Sequence, residues 1–143
     1  MNSAAARPGS LISAQPAPTR ITGILDIATF QATAASLCRD VDLGPGPTLD
    51  VLHAVSEVGQ RLLKDRLEVL LSLRAMREDS RICLIFVLEF FAPDRARVDP
   101  RAPLSDCLKD MDEIIVSQGD VTRIVAVKWG GEGKDASLRQ RVT

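Results

Sequence analysis

Apolar residues at Ile27, Phe30, Ala34, Leu37 and Val41 recur at steps of three and four, the spacing of one helix face. Asp26 stands where an N-cap belongs, so a helix is predicted from there to about Asp40. Gly44-Pro45-Gly46-Pro47 then stops it, because neither residue type sustains a helix interior. Thr48 can cap a second helix, with Asp50 in its first turn facing the positive end of the dipole. Leu52, Val55, Leu62, Val69, Leu73 and Met76 outline its apolar stripe, while Glu57, Lys64, Asp65, Glu68 and Arg74 mark the opposite face. Read from Leu49 to Glu78, this helix is about 45 Å long. A compact domain of this size has a radius of gyration of only about 14–15 Å. The helix must therefore kink, with Gly59 the candidate, or project and bury its stripe on a partner, by default an identical chain.

The most hydrophobic stretch runs from Ile82 to Phe91. Its length, its β-branched and aromatic content and the Pro93 beyond it predict a strand. One face carries Ile82, Leu84, Phe86, Leu88 and Phe90, and the other Cys83, Ile85, Val87, Glu89 and Phe91. With both faces apolar, it belongs in the centre of a sheet, covered on each side; at an edge it would be an aggregation site. Residues 92–103 read as a loop holding Pro93, Pro100 and Pro103. A short helix is predicted from Ser105, with Leu104, Cys107, Leu108 and Met111 on its apolar side. Beyond it, either the helix continues through Ile114 and Ile115, or Glu113–Val116 pairs with Val121–Trp129 across Ser117-Gln118-Gly119-Asp120. The glycine-containing turn between two β-branched runs favours the hairpin. The predicted fold is a single α+β domain over residues 21–129, two N-terminal helices packed on a small, mainly antiparallel sheet with a C-terminal hairpin. A flexible arm (1–20) and a Gly-rich polar tail (130–143) are expected to flank it.

Composition narrows the function. At 143 residues, 45% hydrophobic and 26% charged, the chain suits one domain and is too apolar for wholesale disorder. No apolar run reaches the ~18 residues a membrane span requires, so no membrane partner is expected. A net charge of −1 argues against bulk electrostatic capture of nucleic acid. Cys38, Cys83 and Cys107 are odd in number and share no metal or redox spacing, which predicts free, core-filling thiols in a reducing, cytoplasmic setting. The first 20 residues are rich in Ala, Ser and Pro and free of acid, as transit peptides are. Pro8, Pro16 and Pro18 would break the helix such peptides form, so the segment reads as an arm.

Candidate chemistry is sparse. His53 is the only histidine, and Glu57 shares its helix face, but no third ligand has metal spacing, so neither metal nor cofactor is expected. A serine triad would have to recruit this histidine from a long helix, and no Gly-x-Ser-x-Gly turn is present. Gly130-Gly131-Glu132-Gly133-Lys134 fails the phosphate-loop pattern, with Lys128 in place of the first glycine and Asp135 in place of Ser or Thr. Asp106, Asp110, Asp112, Glu113 and Asp120 lack calcium-loop spacing and read as a solvated face. Glu89, inside an apolar strand, needs water or an arginine. The leading expectation is therefore a non-enzymatic interaction or regulatory module, a homodimer or higher oligomer, joined through Leu52, Val55, Leu62, Val69, Leu73, Phe86 and Phe90. The alternative is an RNA-associated accessory or coat-type protein. Its phosphate contacts would come from Arg74, Arg77, Arg81, Arg95, Arg97 and Arg101, with Trp129 as a stacking platform.

Overall fold

A computed structural model describes residues 10–14, 18–91 and 101–130, with side chains described over 18–90 and 104–130. The elements in chain order are β1 (Ser10–Ala14), β2 (Thr19–Arg20), α1 (Ile24–Asp40), α2 (Pro45–Asp65), β3 (Val69–Glu78), β4 (Arg81–Phe91), α3 (Arg101–Cys107), β5 (Glu113–Ser117) and β6 (Val121–Gly130). The two long helices pack on one face of an antiparallel sheet in the order β1-β3-β4-β6-β5, with β2 also pairing β3. The α+β architecture, the central 81–91 strand and the C-terminal hairpin are as the sequence predicts.

Both ends of α1 differ in detail from expectation. Gly23, not Asp26, is the N-cap. Asp26 lies one turn in and accepts hydrogen bonds from the backbone of Thr22 (2.8 Å), the Thr22 hydroxyl (2.8 Å) and the backbone of Gly23 (3.2 Å). These bonds hold its carboxyl below the ordinary 3.8, the Thr22 backbone contributing most. At the other end Asp42 adopts a left-handed conformation, φ 56°. Leu43 N–H then donates to Cys38 (2.9 Å) and Asp42 N–H to Arg39 (3.1 Å), which closes the helix before the Gly-Pro segment is reached. Gly44-Pro45-Gly46-Pro47 therefore does not stop α1. Gly44 caps α2 and Pro45 opens it, as prolines can where first-turn N–H groups have no partner inside the helix.

The largest correction concerns the second helix. It ends at Asp65 rather than Glu78. Arg66 takes a left-handed conformation (φ 55°), and Leu67 N–H donates to Leu62 (3.0 Å). Residues 69–78 then form β3, so Val69 and Leu73 lie on a strand with Leu71 and Ala75 between and beyond them. The helical stripe fails at its own next position, because Arg66 follows Leu62 by four, and Leu70 and Leu71 are apolar off the stripe. Gly59 is accordingly no kink. A Cβ there would lie 2.8 Å from the Ile27 side chain, so glycine permits the close approach of α1 and α2.

Two smaller boundaries also move. Residues 10–14 and 19–20 of the expected N-terminal arm pair with β3 instead of hanging free. The third helix starts at Arg101, ahead of Ser105. The expected tail lies outside the described residues apart from Gly130, which ends β6.

One hydrophobic core joins the layers. Phe30 on α1 meets Phe86 on β4 with ring centroids 5.8 Å apart, among Val51, Val55, Val58 and Leu62 of α2 and Leu84, Leu88 and Phe90 of β4. Leu104, Cys107, Leu108 and Met111 close one end of that core, on the apolar side anticipated for the short helix. All three thiols are free and buried. Burial pushes the Cys38 thiol up to about 11. Gly130 lets β6 pass against the α1–α2 connection, since a Cβ there would stand 2.3 Å from the Leu43 carbonyl oxygen.

Candidate interaction face

Six of the seven residues expected at an interface are enclosed by the chain itself. Val55, Leu62, Val69, Leu73, Phe86 and Phe90 are each at most 1% exposed, and Leu52 is half-buried against the same core. They point inward because β3 and β4 present alternate residues to α1 and α2. A side chain without accessible surface cannot meet another chain, so the expectation is corrected for these six, which build the core, while Leu52 keeps part of its surface.

The other side of the sheet is the more open one. Strand registers arrange the outward residues in rows. One row is Leu70, Glu89, Arg123, Ser117; the next is Ser72, Val87, Val125, Ile115; the third is Arg74, Ile85, Val127, Glu113; a fourth joins Met76, Cys83 and Trp129. Among the described residues no helix packs on this side. Its middle is nonetheless apolar. Ile85, Val125, Met76 and Trp129 are half-buried, Val87, Cys83 and Val127 lie deeper, and Ile115 is 54% exposed. An open groove of about 720 Å³ runs across it from Pro18 past Ser72 and Val87 to Val125. β5 is an edge strand exposed along its whole length, with Ile114 and Val116 also uncovered.

The charges on this face are placed rather than scattered. Arg123 donates two hydrogen bonds to one Glu89 oxygen, at 2.9 and 2.6 Å, which gives the strand carboxylate the arginine it needs. The Arg81 guanidinium stacks 4.4 Å from the centre of the Trp129 ring, and Trp129 Nε1 donates to Glu113 at 2.8 Å. Cys83, beside them, has its thiol pushed up, first by burial and then by the charges of Glu78 and Glu113.

The remaining candidate groups are structural where they are described. His53 Nδ1 lies 3.0 Å from Asp110 and Nε2 lies 3.7 Å from Glu57, so the lone imidazole bridges α2 to the segment before β5. Asp112 accepts from Trp129 N–H (2.8 Å) and Lys128 (3.4 Å). Lys128 emerges from the helix-facing side of β6. It pairs with Asp50 at 2.7 Å and donates to the Asp110 carbonyl at 2.8 Å. Burial works against its charge, but the hydrogen bond to Asp50 and the charges of Asp112 and Asp50 outweigh it, so the ammonium is held above its ordinary 10.5. Asp110, Asp112 and Glu113 of the acidic cluster thus hold partners within the chain, while Asp106, Asp112, Glu113 and Asp120 remain exposed, as a solvated face would be. No group of three metal-ligating residues occurs among the described residues.

Of the arginines of the alternative reading, three are described with their side chains, and they form no single cluster. Arg74 and Arg77 sit on opposite faces of β3, and Arg81 is occupied by Trp129. Arg95, Arg97 and the side chain of Arg101 lie outside the described residues, as do residues 131–134 of the glycine-rich segment. Among the described residues no helix is long and apolar enough to cross a membrane. No protein family matches the chain, and no curated protein does.

Proposed function

We propose that this chain is a non-enzymatic protein-interaction module that self-associates, with a second copy covering the outer sheet face. One observation carries the reading: the helices shield a single side of a sheet whose central strand is apolar on both. Water against Ile85, Val125, Met76 and Ile115 is unfavourable by roughly 25 cal/mol per Å² of apolar area, which favours burial against another surface. The exposed edge strand adds to that tendency. The two partners of His53 are carboxylates, and the contacts tie α2 to the segment before β5. Three buried free thiols fit a reducing, cytoplasmic compartment. The described arginines do not favour RNA over a protein partner.

Light scattering from low micromolar to several hundred micromolar chain tests this reading. A concentration-dependent dimer is expected, together with a change in the fluorescence of Trp129, which lies on the face concerned. Val125→Asp should return the chain to a folded monomer. A wild-type monomer across the whole range overturns the reading.

A further inference from the structure

The outer face carries a charge pattern that repeats with opposite sign across its midline. Between β4 and β6 runs a line on either side of which Glu89 faces Arg123. One strand further out, Arg74 on β3 and Glu113 on β5 occupy the two ends of a single row. The neutral residues match as well. Val87 mirrors Val125, Ile85 mirrors Val127, and Ser72 mirrors Ile115. Among the described residues no carboxylate holds Arg74, which is exposed.

We infer that two copies pack outer face to outer face about a two-fold axis running along the strands between β4 and β6, with Arg74 of each copy over Glu113 of the other. This rests on the self-association proposed above and fixes its geometry. A two-fold along the strands exchanges left and right while keeping each row at its own level. Each of these acids then lies over a base, Glu89 over Arg123 and Glu113 over Arg74, and Val87 and Ile85 lie over Val125 and Val127. A two-fold across the strands exchanges the rows instead. It sets Glu89 over Ile85 or Cys83 and Arg123 over Val127 or Trp129, stranding charge on apolar surface. The charge pattern therefore selects one axis.

The dimensions are compatible. Four strands at about 4.8 Å and four rows at about 6.8 Å outline a patch of about 500 Å² per copy, or about 1,000 Å² in total. That is the lower end for a specific interface and predicts a micromolar, exchanging dimer. Packed sheets lie about 10 Å apart with strands rotated by about 30°. At about 7 Å from the midline this rotation shifts the corner groups by about 4 Å, which a long arginine side chain can absorb. Pro18 lies beyond Ser72 at the β2 side and falls outside the overlap.

Charge exchange at the corners tests the axis. Arg74→Glu alone and Glu113→Arg alone each set like charges together at two symmetry-related places, and each should raise the dimer dissociation constant about tenfold. The double variant Arg74→Glu/Glu113→Arg restores both pairs and should return within about threefold of wild type. A second readout does not depend on charge. Chains with Ser72→Cys mixed with chains with Ile115→Cys should be joined by a short bismaleimide far faster than either variant joins itself, the native thiols being buried. A wild-type dimer that ignores the single reversals, or is not rescued by the double, with no preference in the cross-linking, overturns this axis and leaves self-association standing. A wild-type monomer removes both.

Discussion

The two faces of the sheet are built from similar residue types and do different work. Toward the helices stand Val69, Leu71, Leu73, Leu84, Phe86, Leu88 and Phe90, none more than 1% exposed. Toward the outside stand Val87, Val125, Ile85, Met76 and Ile115, framed by Arg74, Glu89, Arg123 and Glu113. On the inside apolar contact is continuous and needs no direction. On the outside it is bordered by charges that water tolerates and that, in the proposed dimer, give the second copy one orientation. Apolar content in a strand thus locates burial but does not say whose atoms provide it; the charges along the border do.

Substitutions across the two faces should separate these roles. Phe86→Ala opens a cavity beside Phe30 and should cost about 3–5 kcal/mol in urea unfolding of the dilute chain, whereas Val125→Ala should cost under about 1 kcal/mol. Equal losses would mean the outer face is as enclosed as the inner one. Gly130→Ala drives a methyl into the Leu43 carbonyl, which cannot move aside as a side chain tip can, and should cost about 3 kcal/mol by the same measurement. Lys128→Met removes a cation that is largely covered on the helix-facing side. Its partners Asp50 and Asp112 are partly exposed and so partly screened, which limits the loss to about 1–2 kcal/mol at neutral pH. Because its folded pKa is raised, Lys128 contributes fully below 10.5 and loses that contribution as pH climbs past it. The difference between wild-type and variant stability should therefore shrink in alkaline solution; a constant difference would deny the ion pairs. Arg123→Ala, on the outer face, should cost the monomer the least, about 0.2–1 kcal/mol, and that cost should fall with added salt.

The C-terminal hairpin and the central strand were legible because β-branched alternation, a glycine-containing turn and a proline stop mark those segments. The α2–β3 boundary was not. Val69, Leu73 and Met76 satisfy a helical step and Val69, Leu71 and Leu73 an extended one, so periodicity alone is ambiguous there. The deciding signs are small: Arg66 on the supposed stripe, and runs of ten and eleven residues on the two sides of Asp79-Ser80. Misreading that boundary turned core side chains into an expected interface, since a projecting helix would have needed a partner. The outer face escaped notice for a related reason. Its pattern exists only once four strands are in register, and Arg74, Glu89, Glu113 and Arg123 are spread over fifty residues of chain. The Lys128–Asp50 pair is equally remote in sequence.

The two borders of the sheet are unequal. On the β3 side the N-terminal segment supplies only a five-residue strand, bulged between Leu11 and Ser13, and a two-residue one. Such fragments offer a poor template to a newcomer, whereas β5 is regular and bare. Among the described residues, the β5 margin alone presents a long, regular row of unpaired backbone groups.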